Sequence, residues 1–160
     1  MNVEHLMTRD VESCAPEASL EEAAMIMWRR DCGFVPVVAN PAGRFVGVLT
    51  DRDICIATAT KHMSPGSLQV GTVMNRGAIT CAPSDDVRIA MRRMNQGQVR
   101  RLPVLDKQGR LLGVLALNDL VLAAEQTARP EKNSVGYRDV MGVLRAVSAH
   151  RLPMNLTAAS

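Results

Sequence analysis

A chain of 160 residues, 47% apolar and 22% charged, suits one soluble domain or two small fused halves, burying roughly two thirds of its unfolded surface. Only 2% of the residues are aromatic, too few for the stacking platforms of a single-stranded nucleic-acid binder, and the net charge of +3 is spread along the chain without a basic block. No stretch has the apolar length of a membrane span, "MNVEHLMTRD" lacks a signal-peptide core, and neither Cys14, Cys32, Cys55 and Cys81 nor His5, His62 and His150 show metal-ligand spacing. A cytoplasmic protein without a metal site is expected.

The first predicted element is a short turn holding "HLM", which leads to a brief strand ending near Ser13. A helix follows over "SLEEAAMIMWRR", where Ser19 and Glu22 have capping-box spacing and Leu20, Ala23, Ala24 and Met27 recur at helical intervals. The strands "FVPVVA" and "RFVGVLT", joined by a glycine-containing turn, read as a hairpin, and the helix "DRDICIATA" closes the unit. "TATKHMSPGSLQ", with its Pro-Gly pair, reads as a connector.

The same order then recurs. A turn at "TVM" and a strand ending near Thr80 precede the helix "DDVRIAMRRMNQG", with apolar Val87, Ala90, Met91 and Met94. The hairpin "RLPVL" and "RLLGVLA" and the helix "NDLVLAAEQ" complete it. The recurrence is literal at many positions. With a shift of 67 residues Met7 meets Met74, Cys14-Ala15-Pro16 meets Cys81-Ala82-Pro83, and Pro36-Val37 meets Pro103-Val104. After one deletion the shift is 66, and Gly47-Val48-Leu49 meets Gly113-Val114-Leu115 while Asp53 meets Asp119.

One β-α-β-β-α unit is therefore written twice, an α/β (α+β) fold. The reading is copy 1 over residues 1–60, a linker over 61–69, copy 2 over 70–126 and an extension over 127–160. Sheets this small cannot cover both faces alone, so the copies should pack sheet to sheet about a pseudo-two-fold axis. In the extension, Val140, Leu144 and Val147 stand three or four residues apart and predict one more amphipathic helix. Its stripe should cover this chain's own domain or a second subunit.

The segments "CGFVPVV" with "GVLTDRDI" and "VRRLPVL" with "GVLALNDL" resemble tandem cystathionine-β-synthase-type (CBS) domains, the CBS pair or Bateman module. That resemblance implies a stand-alone regulatory module that binds an adenosine-containing ligand between its copies. AMP, ADP or ATP is the leading class, with S-adenosylmethionine or NADH as further candidates. It also implies a homodimer and a downstream partner protein. No required cofactor is expected, and no nucleophile–base pair suggests an enzyme. Two alternatives stay open: a structural dimerisation adaptor with degenerate sites, and a nucleic-acid binder using "RDVMGVLRAVSAHR".

For such a ligand a carboxylate is the natural acceptor for both ribose hydroxyls. Asp53 suits that role, with Thr50 and Arg52 beside it at a helix start that favours anions. Thr50-x-x-Asp53 also spells a capping box, so a purely structural role is open. Copy 2 keeps Asp119 but has Ala116 in place of the hydroxyl, so its site should be weaker, restricted to a smaller ligand, or empty. Gly33 leaves room for an approaching base. Pro36 and Pro103 should free backbone groups at a strand edge, with Phe34 and Val35, or Arg101 and Leu102, as walls. Arg100 and Arg101 point to opposite faces, so at most one meets a phosphate. The family pattern adds Thr80 as a polar contact. The pairs Arg29-Arg30 and Arg92-Arg93 read as solvated helix ends.

Overall fold

The computed structural model describes residues 1–39, 43–124 and 134–149. Helix α1 (Leu20–Arg29) starts where expected: Ser19 Oγ accepts from Glu22 N at 3.1 Å, and Glu22 Oε2 accepts from Ser19 N at 2.7 Å. It buries Leu20, Ala23, Ile26 and Met27 against the antiparallel hairpin β1 (Phe34–Ala39) and β2 (Arg44–Thr50). Helix α2 (Asp51–Lys61) follows β2 directly. Copy 2 repeats this with α3 (Val87–Gly97), the hairpin β3 (Arg101–Leu105) and β4 (Leu111–Ala116), and α4 (Leu117–Ala123). Val87, Ala90, Met91 and Met94 are all buried, as their spacing predicts.

The brief leading strand of each copy shrinks to a single parallel bridge, Cys14 to Val37 and Cys81 to Val104. Pro16 and Pro83 stand two residues further on and have no N–H with which to extend a ladder. The connector is also more tightly tied than its composition suggests. Leu68 is buried in the copy 1 core, and its carbonyl accepts from Leu20 N at 2.8 Å.

The leading segments cross over. A 3-10 turn at Val3–His5 sends Val3 and Met7 into the core of copy 2, beside Met94, Leu102, Leu115 and Leu120. Val70 and Met74 enter the core of copy 1 beside Leu20, Val35 and Leu49. Backbone pairs fix both crossings: Thr8 exchanges two 2.9 Å bonds with Val114, and Asn75 exchanges bonds of 2.8 and 3.0 Å with Val48. Each hairpin thus gains a short third partner from the opposite copy. Between the hairpins, Arg44 bridges Arg110 and Phe45 N donates to Gly109 O at 2.9 Å, so the copies do pack through their sheets.

Helix α5 (Tyr137–Ser148) lies across α3 and α4 and buries Val140 and Val143 in the copy 2 core, with Val147 packed at its edge. Leu144 does not belong to that stripe; it faces outward with Tyr137 and Met141. The rest of the extension, 127–133 and 150–160, lies outside the described residues. Among the described residues no helix is long and apolar enough to cross a membrane.

Of the four arginines read as solvated helix ends, Arg29, Arg30 and Arg92 are exposed and Arg93 is partly so, and three of them also form surface ion pairs. Arg29 and Arg30 bond Glu12 at 2.5 and 3.1 Å, Arg30 also meets Asp10 at 3.0 Å, and Arg93 bonds Asp85 at 2.6 Å. Their carboxylate partners precede the helix in sequence and are returned to it by the fold.

Candidate ligand site between the two copies

Asp119 occupies the third position of α4, where its carboxylate accepts from Ala116 N at 2.7 Å and has the Thr8 hydroxyl near enough to favour its charged form. Thr8 arrives there because it pairs with Val114 in β4. A hydroxyl close to this acid, which Ala116 cannot offer, thus comes from the other copy's leading segment. A cavity of about 250 Å³ opens beside this group, lined by Thr8, Val11, Phe34, Arg101, Val114 and Ala116, with Asp10, Glu12, Ile26, Arg30 and Cys32. Both copies contribute to it. Its walls are apolar at Val11, Phe34 and Val114, and the Arg101 guanidinium carbon stands 5.7 Å from the centre of the Phe34 ring, a cation–π distance. Arg30 is already matched by Asp10 and Glu12, which leaves Arg101 as the cation in the lining without an ion pair among the described residues.

Copy 1 treats its acid differently. Thr50 Oγ1 donates to Asp53 Oδ2 at 2.7 Å and accepts from Asp53 N at 3.2 Å, while Thr50 N donates to Asp53 Oδ2 at 2.9 Å. This is a complete capping box, with the hydroxyl engaged by its own acid. A second cavity, about 500 Å³, lies between α1 and α2 and is lined by Ala24, Met27, Trp28, Asp31, Cys32, Gly33, Asp51, Ile54 and Arg101. Neither cavity is lined by Thr50, Arg52, Asp53, Thr80, Arg100 or Asp119.

The remaining candidates separate by strand alternation. Phe34 and Arg101 face the cavity, whereas Val35 and Leu102 are fully buried in the two cores and line neither cavity. Pro36 and Pro103 are buried, and backbone groups at and beside them are paired. Pro36 O accepts from Cys14 N, Val38 N donates to Cys14 O, and Pro103 O accepts from Cys81 N. Gly33 is approached by the chain's own Asp51: a Cβ there would lie 2.5 Å from Asp51 Oδ2. Arg52 and Arg100 are exposed, the Arg100 carbonyl accepts from Leu117 N, and the Thr80 carbonyl accepts from Arg93. Of this smaller cavity's lining, sequence reasoning named Phe34 and Arg101 as site residues and missed the rest, Thr8, Val11 and Val114 among them.

Burial raises the Asp119 carboxyl above its ordinary value of 3.8, against the lowering effects of the Ala116 N–H, the Arg101 charge and the Thr8 hydroxyl. The folded chain thus holds this proton more tightly than the unfolded chain does. Its contribution to stability is full below pH 3.8 and is lost as pH rises through the elevated folded value. Urea unfolding at stepped pH should therefore find the wild type losing stability relative to Asp119→Asn as pH climbs from that point. A gap independent of pH would contradict the assignment.

Two interlocked α/β copies with a crevice lined by both define the class of tandem-repeat α/β pairs. The chain belongs to the CBS domain family: the family model for the CBS domain matches residues 3–59 and again 70–125. It is 36% identical over 121 residues to the CBS domain-containing protein YhcV of Bacillus subtilis, covering 76% of this chain and 84% of that one. Among solved structures it resembles the CBS domain protein PAE2072 of Pyrobaculum aerophilum complexed with AMP, with 27% identity and a TM-score of 0.68 over 75% of this chain and 90% of that one. Some relatives are far longer. The homoserine O-acetyltransferase of Methanococcoides burtonii is 31% identical over 119 residues, which are 74% of this chain and 23% of that enzyme.

Proposed function

We propose that this chain is a regulatory CBS pair that binds an adenosine-containing ligand in the crevice beside Asp119 and passes its state to a partner protein. One observation carries the reading: a half-buried carboxylate, disfavoured by desolvation, sits with the Thr8 hydroxyl next to a cavity built by both copies. A ribose diol donating two hydrogen bonds relieves that desolvation, and Phe34 with Val11 and Val114 offers an apolar seat for a base. The AMP-bound relative supports the same ligand class. Because Arg30 is neutralised by Asp10 and Glu12, the site has one cation for a phosphate, which favours a monophosphate over a triphosphate. In this reading the order of sites expected from the T-x-x-D pattern is reversed, since the Thr50–Asp53 pair is closed on itself.

A crevice between two copies couples binding to regulation only if two arrangements of those copies bind the ligand differently. Arg101 and Phe34, contributed by opposite copies and in contact with each other, are the residues through which occupancy alters their spacing.

Thermal shift with AMP, ADP, ATP, NADH and S-adenosylmethionine tests the proposal. A ligand at a hundred times its Kd adds about 2.7 kcal/mol to stability. Asp119→Ala is expected to weaken binding by about 1.5–3 kcal/mol, roughly 10- to 150-fold, while Asp53→Ala leaves affinity nearly unchanged. A flat response to all five compounds would favour the adaptor reading, and a larger loss from Asp53→Ala would move the site to copy 1.

A further inference from the structure

The two cavities stand back to back and share a wall. Cys32 and Arg101 line both of them, while Gly33 lines only the larger and its neighbour Phe34 only the smaller. The entry to β1 is thus a thin partition. Cys32 Sγ donates to Phe34 O at 3.3 Å, which fixes the strand side of it, and the Arg101 guanidinium lies on the Phe34 ring.

The guanidinium is the part of this wall that is free to turn. Strand pairing with Ala116 holds the backbone of Arg101, but its half-buried side chain has no ion pair among the described residues. A cation–π contact is a weak tether, and carboxylates stand on either side of it. Asp119 is close enough on one side for the Arg101 charge to favour its ionised form. On the other side Asp31 and Asp51 line the larger cavity, where Arg101 is the one cation among the lining residues.

We propose that Arg101 relays occupancy of the smaller cavity to the α1/α2 groove: a phosphate bound beside Asp119 draws the guanidinium toward itself, and the larger cavity loses its cation. The relay rests on the binding reading above and adds the route by which the bound state reaches an outer surface. A phosphate monoester brings about two negative charges, and a bidentate guanidinium–phosphate contact is stronger than the ring contact it replaces. The groove then passes from two carboxylates offset by one cation to two carboxylates alone. An uncharged nucleoside exerts no such pull, so the groove distinguishes a nucleotide from a nucleoside in the same seat.

Trp28 is the sole tryptophan, lines the larger cavity and is 82% exposed, so ionic quenchers of its emission read the charge there. Thermal shift on the full chain first fixes the AMP concentration that saturates it. Quenching of Trp28 by caesium and by iodide is then compared at constant ionic strength, with and without AMP. The ratio of caesium to iodide quenching constants is expected to rise about twofold on saturation, since one positive charge leaves the cavity. Arg101→Gln should show the raised ratio without ligand and keep it when AMP is added. An unchanged wild-type ratio, with AMP bound by thermal shift, overturns the relay and leaves the binding site standing. A ratio that rises equally with adenosine, or that still responds to AMP in Arg101→Gln, overturns it too. Absence of any thermal shift with AMP removes the relay together with the monophosphate reading beneath it.

Discussion

Val3→Asp is expected to lower folding stability by about 3–5 kcal/mol, the range for leaving an uncompensated charge in a protein interior. Val3 has no solvent exposure, and it packs on Met94, Leu102 and Leu120 of the opposite copy. Glu4→Ala, at the exposed neighbour, should stay within about 0.5 kcal/mol of wild type. Urea denaturation followed by far-ultraviolet circular dichroism compares them. A small effect at Val3 would mean that the leading segment does not close the copy 2 core.

Gly113→Ala should cost about 1–3 kcal/mol and also weaken the ligand, although residue 113 lines neither cavity. A Cβ at Gly113 would stand 2.5 Å from the carbonyl oxygen of Thr8 and 3.3 Å from Met7 Sδ. The obstruction is backbone, so the leading segment must move away, taking the Thr8 hydroxyl from Asp119. Gly47→Ala is the matched control: its Cβ would meet the Asn75 carbonyl at 2.7 Å, in the crossing that belongs to copy 1. Similar losses of stability are expected from the two, with a loss of affinity from Gly113→Ala alone. Equal affinities would separate Thr8 from the site.

Most of the architecture was legible because duplication tests every assignment twice. A hairpin predicted from Pro36-Val37 and Gly47-Val48-Leu49 gains weight when Pro103-Val104 and Gly113-Val114-Leu115 repeat it, and both hairpins form. The Ser19–Glu22 capping box was equally readable, since capping is local chemistry within four residues. What the sequence hid is nonlocal. Nothing in "HLMT" says that Thr8 will pair with Val114 rather than remain with its own copy, so the hydroxyl beside Asp119 was looked for at position 116. The inward positions of Val35 and Leu102 were open to strand alternation, but alternation alone does not say which face is the core. Leu144 was misplaced for a related reason: Val140 is followed at helical spacing by both Val143 and Leu144, and only the packed partner selects between them.

The crossed leading segments also govern the order in which this chain completes itself. Residues 3–8 are made before the β4 edge that Thr8 pairs with, which follows more than a hundred residues later, at Val114. Copy 1 waits less, since Val70 and Met74 follow soon after α2. During synthesis the leading segment of copy 1 therefore waits, with Val3 and Met7 uncovered, until the second hairpin emerges, a closure of high sequence separation and correspondingly slow assembly. Neither half, cut free at the connector, retains the residues that seal its own interior.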